Sequence, residues 1–343
     1  MLDFWCPSVT AQTGYGRVHL RLYRALKRIG AKLTDKPGLG DITVFYGQPG
    51  LEPHLRKLWR VRTRAKFLWY SMFECSVPPP GWVDVIEGRL PGVDPADGLC
   101  VPSTWVGEMF RENGITKPIH VIPHGVDGAE FPYIERDADR PFTFLWQGVS
   151  PNDRKGGWLV REAFEELDFP DAWLVLKWWN GRGFYWRERD KRIEHIGQKL
   201  TDADMLKLFR RCDCSVNPTS GEGFGLIPLE HAATGMATVV TGWSGPADYV
   251  RDTHMWELDY RLGHSVFGHG AGIEDAVDAK PDMNSLREAM GWLYENPDKA
   301  IAIGKKSSKR IHKVWTWENA ARKLIDAVSE HVPRETVMEG SCL

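Results

Sequence analysis

Two glutamates, Glu222 and Glu230, bracket a Gly-Phe-Gly turn in the segment 217–235, NPTSGEGFGLIPLEHAATG. The turn follows a short apolar run, CSVNP, that reads as a strand, and it opens a run with helical spacing. Backbone N–H groups at Phe224, Gly225 and Leu226 would then form a helix N-terminus. Such a terminus is a ready anion site, suited to the outer phosphate of a nucleotide diphosphate. Gly223 and Gly225 allow a ligand to approach the backbone closely. Glu230 lies about one turn into the helix, where a carboxylate accepts two hydrogen bonds from a ribose diol. The two carboxylates are too local to serve as the acid and nucleophile of a glycoside hydrolase, which come from opposite sides of the scissile bond.

Other residues could do chemistry in loops that follow strands. Gly14 and Gly16 precede the first helix, with backbone able to approach a diphosphate or an acceptor. His124 follows the run IHVIP and precedes Gly125, a place for a substrate contact or for a structural hydrogen-bonded histidine. Two stretches interleave basic and aromatic residues: 56–66, RKLWRVRTRAK, and 182–192, RGFYWRERDKR. They suit phosphate tracking and base stacking, or serve as solvated helix faces.

The elements that must position these residues alternate from end to end. Val18, Leu22, Leu26 and Ile29 recur at helical spacing over 14–29. Residues 42–46, 67–73, 98–102 and 119–123 read as strands, and Ser103 caps a helix that Gly114 stops. The segment 127–141 is polar and aperiodic. After it strands at 142–148, 172–179, 214–218 and 237–242 alternate with helices at 157–167, 202–212 and 226–235, and a helical region runs from 283 to 331. Short apolar strands in β-α alternation argue for parallel sheets covered on both faces. The expectation is an α/β protein of two doubly wound, Rossmann-like domains facing across a cleft, with ligands at the carboxyl ends of the strands. The N-terminal domain takes 1–128, a linker 129–141 and the C-terminal domain 142–315. A last helix and tail, 316–343, cross back to the N-terminal domain.

Composition narrows the classes. The chain has 343 residues, 44 Lys and Arg against 46 Asp and Glu, 42% hydrophobic and 26% charged residues. These values exclude a disordered or collagen-like chain and give no global electrostatic case for nucleic acid or an acidic membrane. No run approaches 18 apolar residues, so no transmembrane segment is expected, and no secretory signal is visible at the N-terminus. Six cysteines form no CxxC pair. They read as reduced thiols of a cytoplasmic protein, with Cys212 and Cys214 on one face of a strand.

The order of the motifs resembles a known family. Glu222-x7-Glu230 in the form EGFGLIPLE is similar to the E-x7-E signature of retaining, family-4-type glycosyltransferases of the GT-B fold. Thr13-Gly-Tyr-Gly-Arg17 resembles that family's N-terminal glycine-rich loop. Val101-Pro-Ser-Thr-Trp105 resembles the opening of one of its helices. Val121-Ile-Pro-His-Gly-Val-Asp127 resembles its VIPNGVD, with His124 where Asn is common. Arg154-Lys-Gly156 resembles the donor-phosphate motif, and Thr316-Trp-Glu318 the start of the last helix.

The resemblance implies transfer of a sugar from a nucleotide-diphosphate sugar to an acceptor hydroxyl with retention of configuration. Lys155 would reach the donor phosphates, assisted by Arg154, since the arginine usual a few residues earlier is missing. Glu222 would meet the donor sugar. The family's usual N-terminal-domain histidine is replaced near Phe73-Glu74, which leaves Glu74 as the substitute. No cofactor beyond the nucleotide sugar and no essential metal are expected. The acceptor stays open among carbohydrate, phosphate-bearing lipid and nucleic acid. The alternatives on the same fold are a sugar-nucleotide epimerase and a non-catalytic nucleic-acid-binding derivative.

Overall fold

The computed structural model describes residues 1–6, 14–34, 39–49, 65–136, 140–149, 154–178 and 190–339. The chain divides into two compact units. The first comprises Met1–Gly125, Ala271–Glu274 and Trp315–Leu343, and the second Val126–Gly270 and Asp275–Val314.

In the first unit, six parallel strands lie in the order β2-β1-β3-β4-β5-β6. They are β1 Leu2–Trp5, β2 Leu33–Thr34, β3 Ile42–Tyr46, β4 Lys66–Tyr70, β5 Gly98–Val101 and β6 Ile119–Val121. Every residue of β3 and β5 is buried, as expected of strands covered on both faces. Helix α1, Gly14–Arg28, buries Val18, Leu22 and Leu26, the periodic positions. It also contains Gly14 and Gly16, so both belong to its first turn rather than to a loop before it. Helix α2 is Trp82–Glu87. Helix α3, Thr104–Glu112, starts at Ser103, whose hydroxyl accepts from the Val106 amide at 3.3 Å.

The second unit repeats the plan with order β12-β11-β10-β7-β8-β9, all parallel. Its strands are β7 Thr143–Gly148, β8 Trp173–Trp178, β9 Ile193–Ile196, β10 Cys214–Asn217, β11 Ala237–Thr241 and β12 Trp256–Leu258. Side chains alternate between two cores. Phe144 and Trp146 pack with α4, Gly157–Leu167. Leu145 packs with Leu208 and Phe209 of α5, Asp202–Arg210. Helix α6 is Leu226–Ala233. An antiparallel hairpin follows β12, made of β13 Tyr260–His264 and β14 Val277–Pro281, with the short helix α7, Val266–Gly270, between its strands. The 283–331 region is three helices: α8 Met283–Glu295, α9 Pro297–Val314 and α10 Trp317–Ser329, the last in the first unit, where it packs on α1. A final turn of helix, α11, is Arg334–Val337. The hairpin, β9 and β12 escape the sequence reading because they are short and carry little periodicity.

Two expectations need correction. Cys212 precedes β10 and packs in the α5 core, whereas Cys214 faces the opposite core. Asp213 turns the chain between them. The segment expected as a linker, 129–141, packs onto the second unit as far as Arg136. Ile134 is 7% exposed and its amide donates to the Thr234 carbonyl at 3.0 Å. The Arg136 guanidinium is buried and donates to the carbonyls of Ile134 (2.7 Å), Thr234 (2.6 Å), Cys212 (3.0 Å) and Phe209 (3.3 Å). Burial lowers its pKa to about 10, still charged at neutral pH. Polar residues without periodicity read as a linker, but here one arginine closes the carbonyls that end α5 and α6. We expect Arg136→Met to remove the guanidinium bonds from these carbonyls and to cost about 3 kcal/mol in urea unfolding of the folded variant.

Candidate functional site

The second sheet changes direction between β7 and β10. The chain runs outward through β7, β8 and β9, then returns to lay β10 on the other side of β7. Loops leaving the carboxyl ends of two such strands part and leave a crevice, the usual ligand position in this architecture. The β7–α4 loop ends in Arg154, Lys155 and Gly156, and the β10–α6 loop holds Thr219 to Gly225. They are tied together by the Ser220 amide, which donates to the Arg154 carbonyl at 2.7 Å, and by the Trp146 indole, which donates to the Lys155 carbonyl at 2.9 Å. Gly156 has φ +70, and a Cβ there would strike the Pro218 carbonyl, so only glycine lets the loops approach this closely.

Glu222 sits at the centre. Its carboxylate is ion-paired to Lys155, lies 3.2 Å from Arg154 Nη1, and accepts from Thr219 Oγ1 at 3.3 Å. Arg154 also donates to the Gly221 carbonyl. Burial pushes the Glu222 carboxyl up, but Lys155 and then Arg154 outweigh it and hold the pKa below the ordinary value. The backbone is clamped as well. Glu222 N–H donates to Ser244 Oγ at 3.0 Å, and Gly245 N–H donates to the Glu222 carbonyl at 3.0 Å.

Helix α6 starts beside this cluster. Its N-cap, Gly225, has φ 87 and offers no side-chain acceptor. The Gly225 carbonyl accepts from the Tyr249 hydroxyl at 2.7 Å, which fixes the turn. Gly223, Phe224 and Leu226 therefore lie in or next to the turn at the helix N-terminus, and Glu230, 7% exposed, lies one turn on. A cavity of about 540 Å³ opens beside the loops, lined by Arg154, Gly156, Trp158, Ser220, Arg261 and Phe267 among others. That volume falls within the range of small-ligand sites, roughly 300–1,000 Å³.

The first unit gathers other expected residues. Tyr15, between Gly14 and Gly16, donates its hydroxyl to the Met72 carbonyl at 3.2 Å, in the turn that carries Glu74. The Tyr15 pKa is raised, first by burial and then by the Glu74 charge, which places that carboxylate near the start of α1. His124 is 2% exposed, with its ring against Trp317, Tyr70 and Tyr46. That placement gives it a core role and lends no support to a substrate contact. Burial lowers its pKa to about 3. The basic stretches lie largely outside the described residues. Of their described ends, Lys66 pairs with Asp97 at 3.0 Å and Arg192 with Asp190 at 2.7 Å.

Sequence reasoning missed Thr219, Ser244 and Tyr249. Thr219 stands three residues before Glu222 and was legible as a hydroxyl in the same loop. Ser244 and Tyr249 come from the loop after β11, and no local pattern links them to Glu222.

A family model described as "Family 4 Glycosyltransferase in conflict systems" matches residues 198–324. Among curated proteins, the uncharacterized glycosyltransferase MJ1178 of Methanocaldococcus jannaschii is 25% identical over 240 residues, 68% of this chain and 60% of that protein. The chain spans 35–60% of the length of the curated relatives it matches. Among solved structures, a glycosyltransferase from Rickettsia africae superposes with TM-score 0.63 at 14% identity, over 94% of this chain and 83% of that one. The Anabaena protein Alr3699/HepE, solved with UDP-glucose, gives TM-score 0.57 at 12% identity, over 84% and 79% of the two chains. Two six-stranded parallel units with these neighbours define the GT-B fold. Within that fold, residues 198–324, which include the E-x7-E segment, are similar to family-4 glycosyltransferases.

The ion cluster makes a titration prediction. In Lys155→Ala the largest opposing charge is gone and Arg154 alone is left against burial, so the Glu222 pKa rises. A carboxyl with a lowered folded pKa stabilises the fold above its unfolded value, and that contribution is lost as pH falls through the folded value. Carbon-13 NMR of the glutamate carboxyls should therefore show Glu222 titrating at lower pH in the parent than in the variant.

Proposed function

We propose that the protein transfers a sugar from a nucleotide-diphosphate sugar to an acceptor hydroxyl with retention of configuration. The observation that carries this reading is the buried cluster of Lys155, Arg154 and Glu222 beside the N-terminus of α6, one turn before Glu230. Its parts match the needs of such a donor. The two cations and the amides at the start of α6 would hold the diphosphate, with the helix dipole adding to the field. Glu230 would accept from the ribose diol.

The two cations share the single Glu222 carboxylate. A diphosphate entering the crevice would offer them a second anionic partner and free the Glu222 carboxylate to meet sugar hydroxyls on the face where positive charge grows. As the bond between C1 and the diphosphate breaks, charge builds on the leaving oxygen, and Lys155 and Arg154 stabilise it most at that moment. The acceptor hydroxyl attacks from the face the diphosphate leaves and gives its proton to a phosphate oxygen, which keeps the anomeric configuration. Gly14, Gly16 and Glu74, all in the first unit, are proposed to contact substrate. The nucleotide sugar of the Anabaena neighbour supports the donor class. No helix among the described residues is long and apolar enough to cross a membrane. The five described cysteines are buried free thiols, which supports a reducing, cytoplasmic setting.

The test is incubation with a panel of nucleotide sugars and acceptors, with the anomer of the product read by NMR. Nucleotide diphosphate release coupled to transfer with retained configuration is expected. A new sugar nucleotide formed from donor alone would mean an epimerase instead. Two variants sharpen the result. Glu230→Ala should weaken nucleotide diphosphate binding by about 10- to 100-fold in calorimetry. Lys155→Ala should lower kcat by about 100-fold or more while changing donor affinity less.

A further inference from the structure

Beneath this site, buried polar side chains join the two strands that flank the crevice. Asn217 Nδ2 donates to Ser215 Oγ at 2.9 Å and to the Val239 carbonyl at 3.3 Å. Ser215 Oγ lies 2.6 Å from His231 Nδ1, and His231 Nε2 lies 3.1 Å from Gln147 Oε1. Asn217, Ser215 and His231 are 5%, 0% and 1% exposed.

The chain has a direction. The Val239 carbonyl only accepts, so Asn217 turns its NH2 group to it and to Ser215. Ser215 therefore accepts from Asn217, and among the described residues its own proton has one acceptor, His231 Nδ1. Burial lowers the His231 pKa to about 3, so the ring is neutral and carries a single proton. With Nδ1 accepting, that proton is on Nε2 and is donated to Gln147 Oε1. The Gln147 NH2 group is left on the side away from His231. It stands near the carboxyl end of β7, one residue before the strand's last residue, Gly148. Lys177 is its register partner on β8 and lies on the same face, 6% exposed, with its ammonium donating to the Trp178 carbonyl at 3.2 Å.

Two N–H donors thus stand side by side on the carboxyl edge of the sheet, next to the helix that carries Glu230. A nucleoside whose ribose met Glu230 would lie beside this edge, because His231, the next residue of the same helix, bonds Gln147. We infer that Gln147, aimed by the Asn217–Ser215–His231 chain, reads the nucleoside together with Lys177 and selects a base that presents carbonyl oxygens, uracil or guanine, over adenine. An exocyclic amine at that edge would set donor against donor in a dry site. Mismatches of this kind discriminate more strongly than a missing methylene. The inference rests on the donor reading above. It concerns positioning and specificity rather than the chemical step.

Calorimetry of the full chain with UDP, GDP and ADP tests it. The parent should bind UDP or GDP at least about tenfold more tightly than ADP. Gln147→Glu keeps the side-chain shape and the bond from His231 but turns an acceptor outward. It should erase or reverse that preference. His231→Ala should weaken the oxo-base nucleotide about tenfold and leave ADP unchanged, with melting curves reporting that both variants fold. An unchanged ratio in Gln147→Glu, or a parent that prefers ADP, overturns the inference even where Glu230→Ala still loses binding. A parent that binds none of the three nucleotides removes the donor reading itself, and this inference with it.

Discussion

The buried ion cluster of Glu222 with Lys155 and Arg154 is the interaction on which the rest of the second unit turns. Three charged groups are held at the end of a parallel sheet, with side chains 10–17% exposed. Taking charges out of water is costly, and the cost is met only where geometry and extra hydrogen bonds are good. The surrounding structure supplies both. Thr219 adds a donor to the carboxylate, Ser244 and Gly245 lock its backbone, and the missing Cβ of Gly156 lets the cation loop close over Pro218. Removing Glu222 would leave two buried cations without their carboxylate partner.

The same cluster gives this end of the sheet a field that suits an anion. Its net charge is one positive, and it adjoins a helix start whose N-cap brings no side-chain acceptor. A ligand with two negative phosphates complements that field without requiring the protein to rebuild its core. The strands beneath the loops are held by the close-packed Phe144, Trp146, Cys214 and Val216.

Polar order extends one layer deeper than the ions. The Asn217–Ser215–His231–Gln147 chain lies where an apolar contact would serve packing equally well. Every member of the buried part has its partners, so it carries no desolvation penalty from orphaned groups. Such a chain has one hydrogen-bond direction, and it transmits that direction to the single amide it leaves at the strand end.

The sequence by itself determined the parallel α/β units, because alternating apolar runs and amphipathic helices have nowhere else to bury their faces. It also marked Glu222, Glu230, Arg154 and Lys155, since glycines, carboxylates and cations after strands are local signals. Tertiary structure alone decided that Glu222 binds both cations, 67 and 68 residues earlier in the chain, and that Ser244 holds its backbone. It decided that His124 is core, that Arg136 straps a segment that reads as a linker, and that His231 speaks to Gln147 across 84 residues. The physical reason is one of range. Periodicity and turn chemistry report on neighbours within a few residues. Ion pairs, buried hydrogen bonds and desolvation depend on which strands the sheet order brings together, and that order is a property of the packed chain.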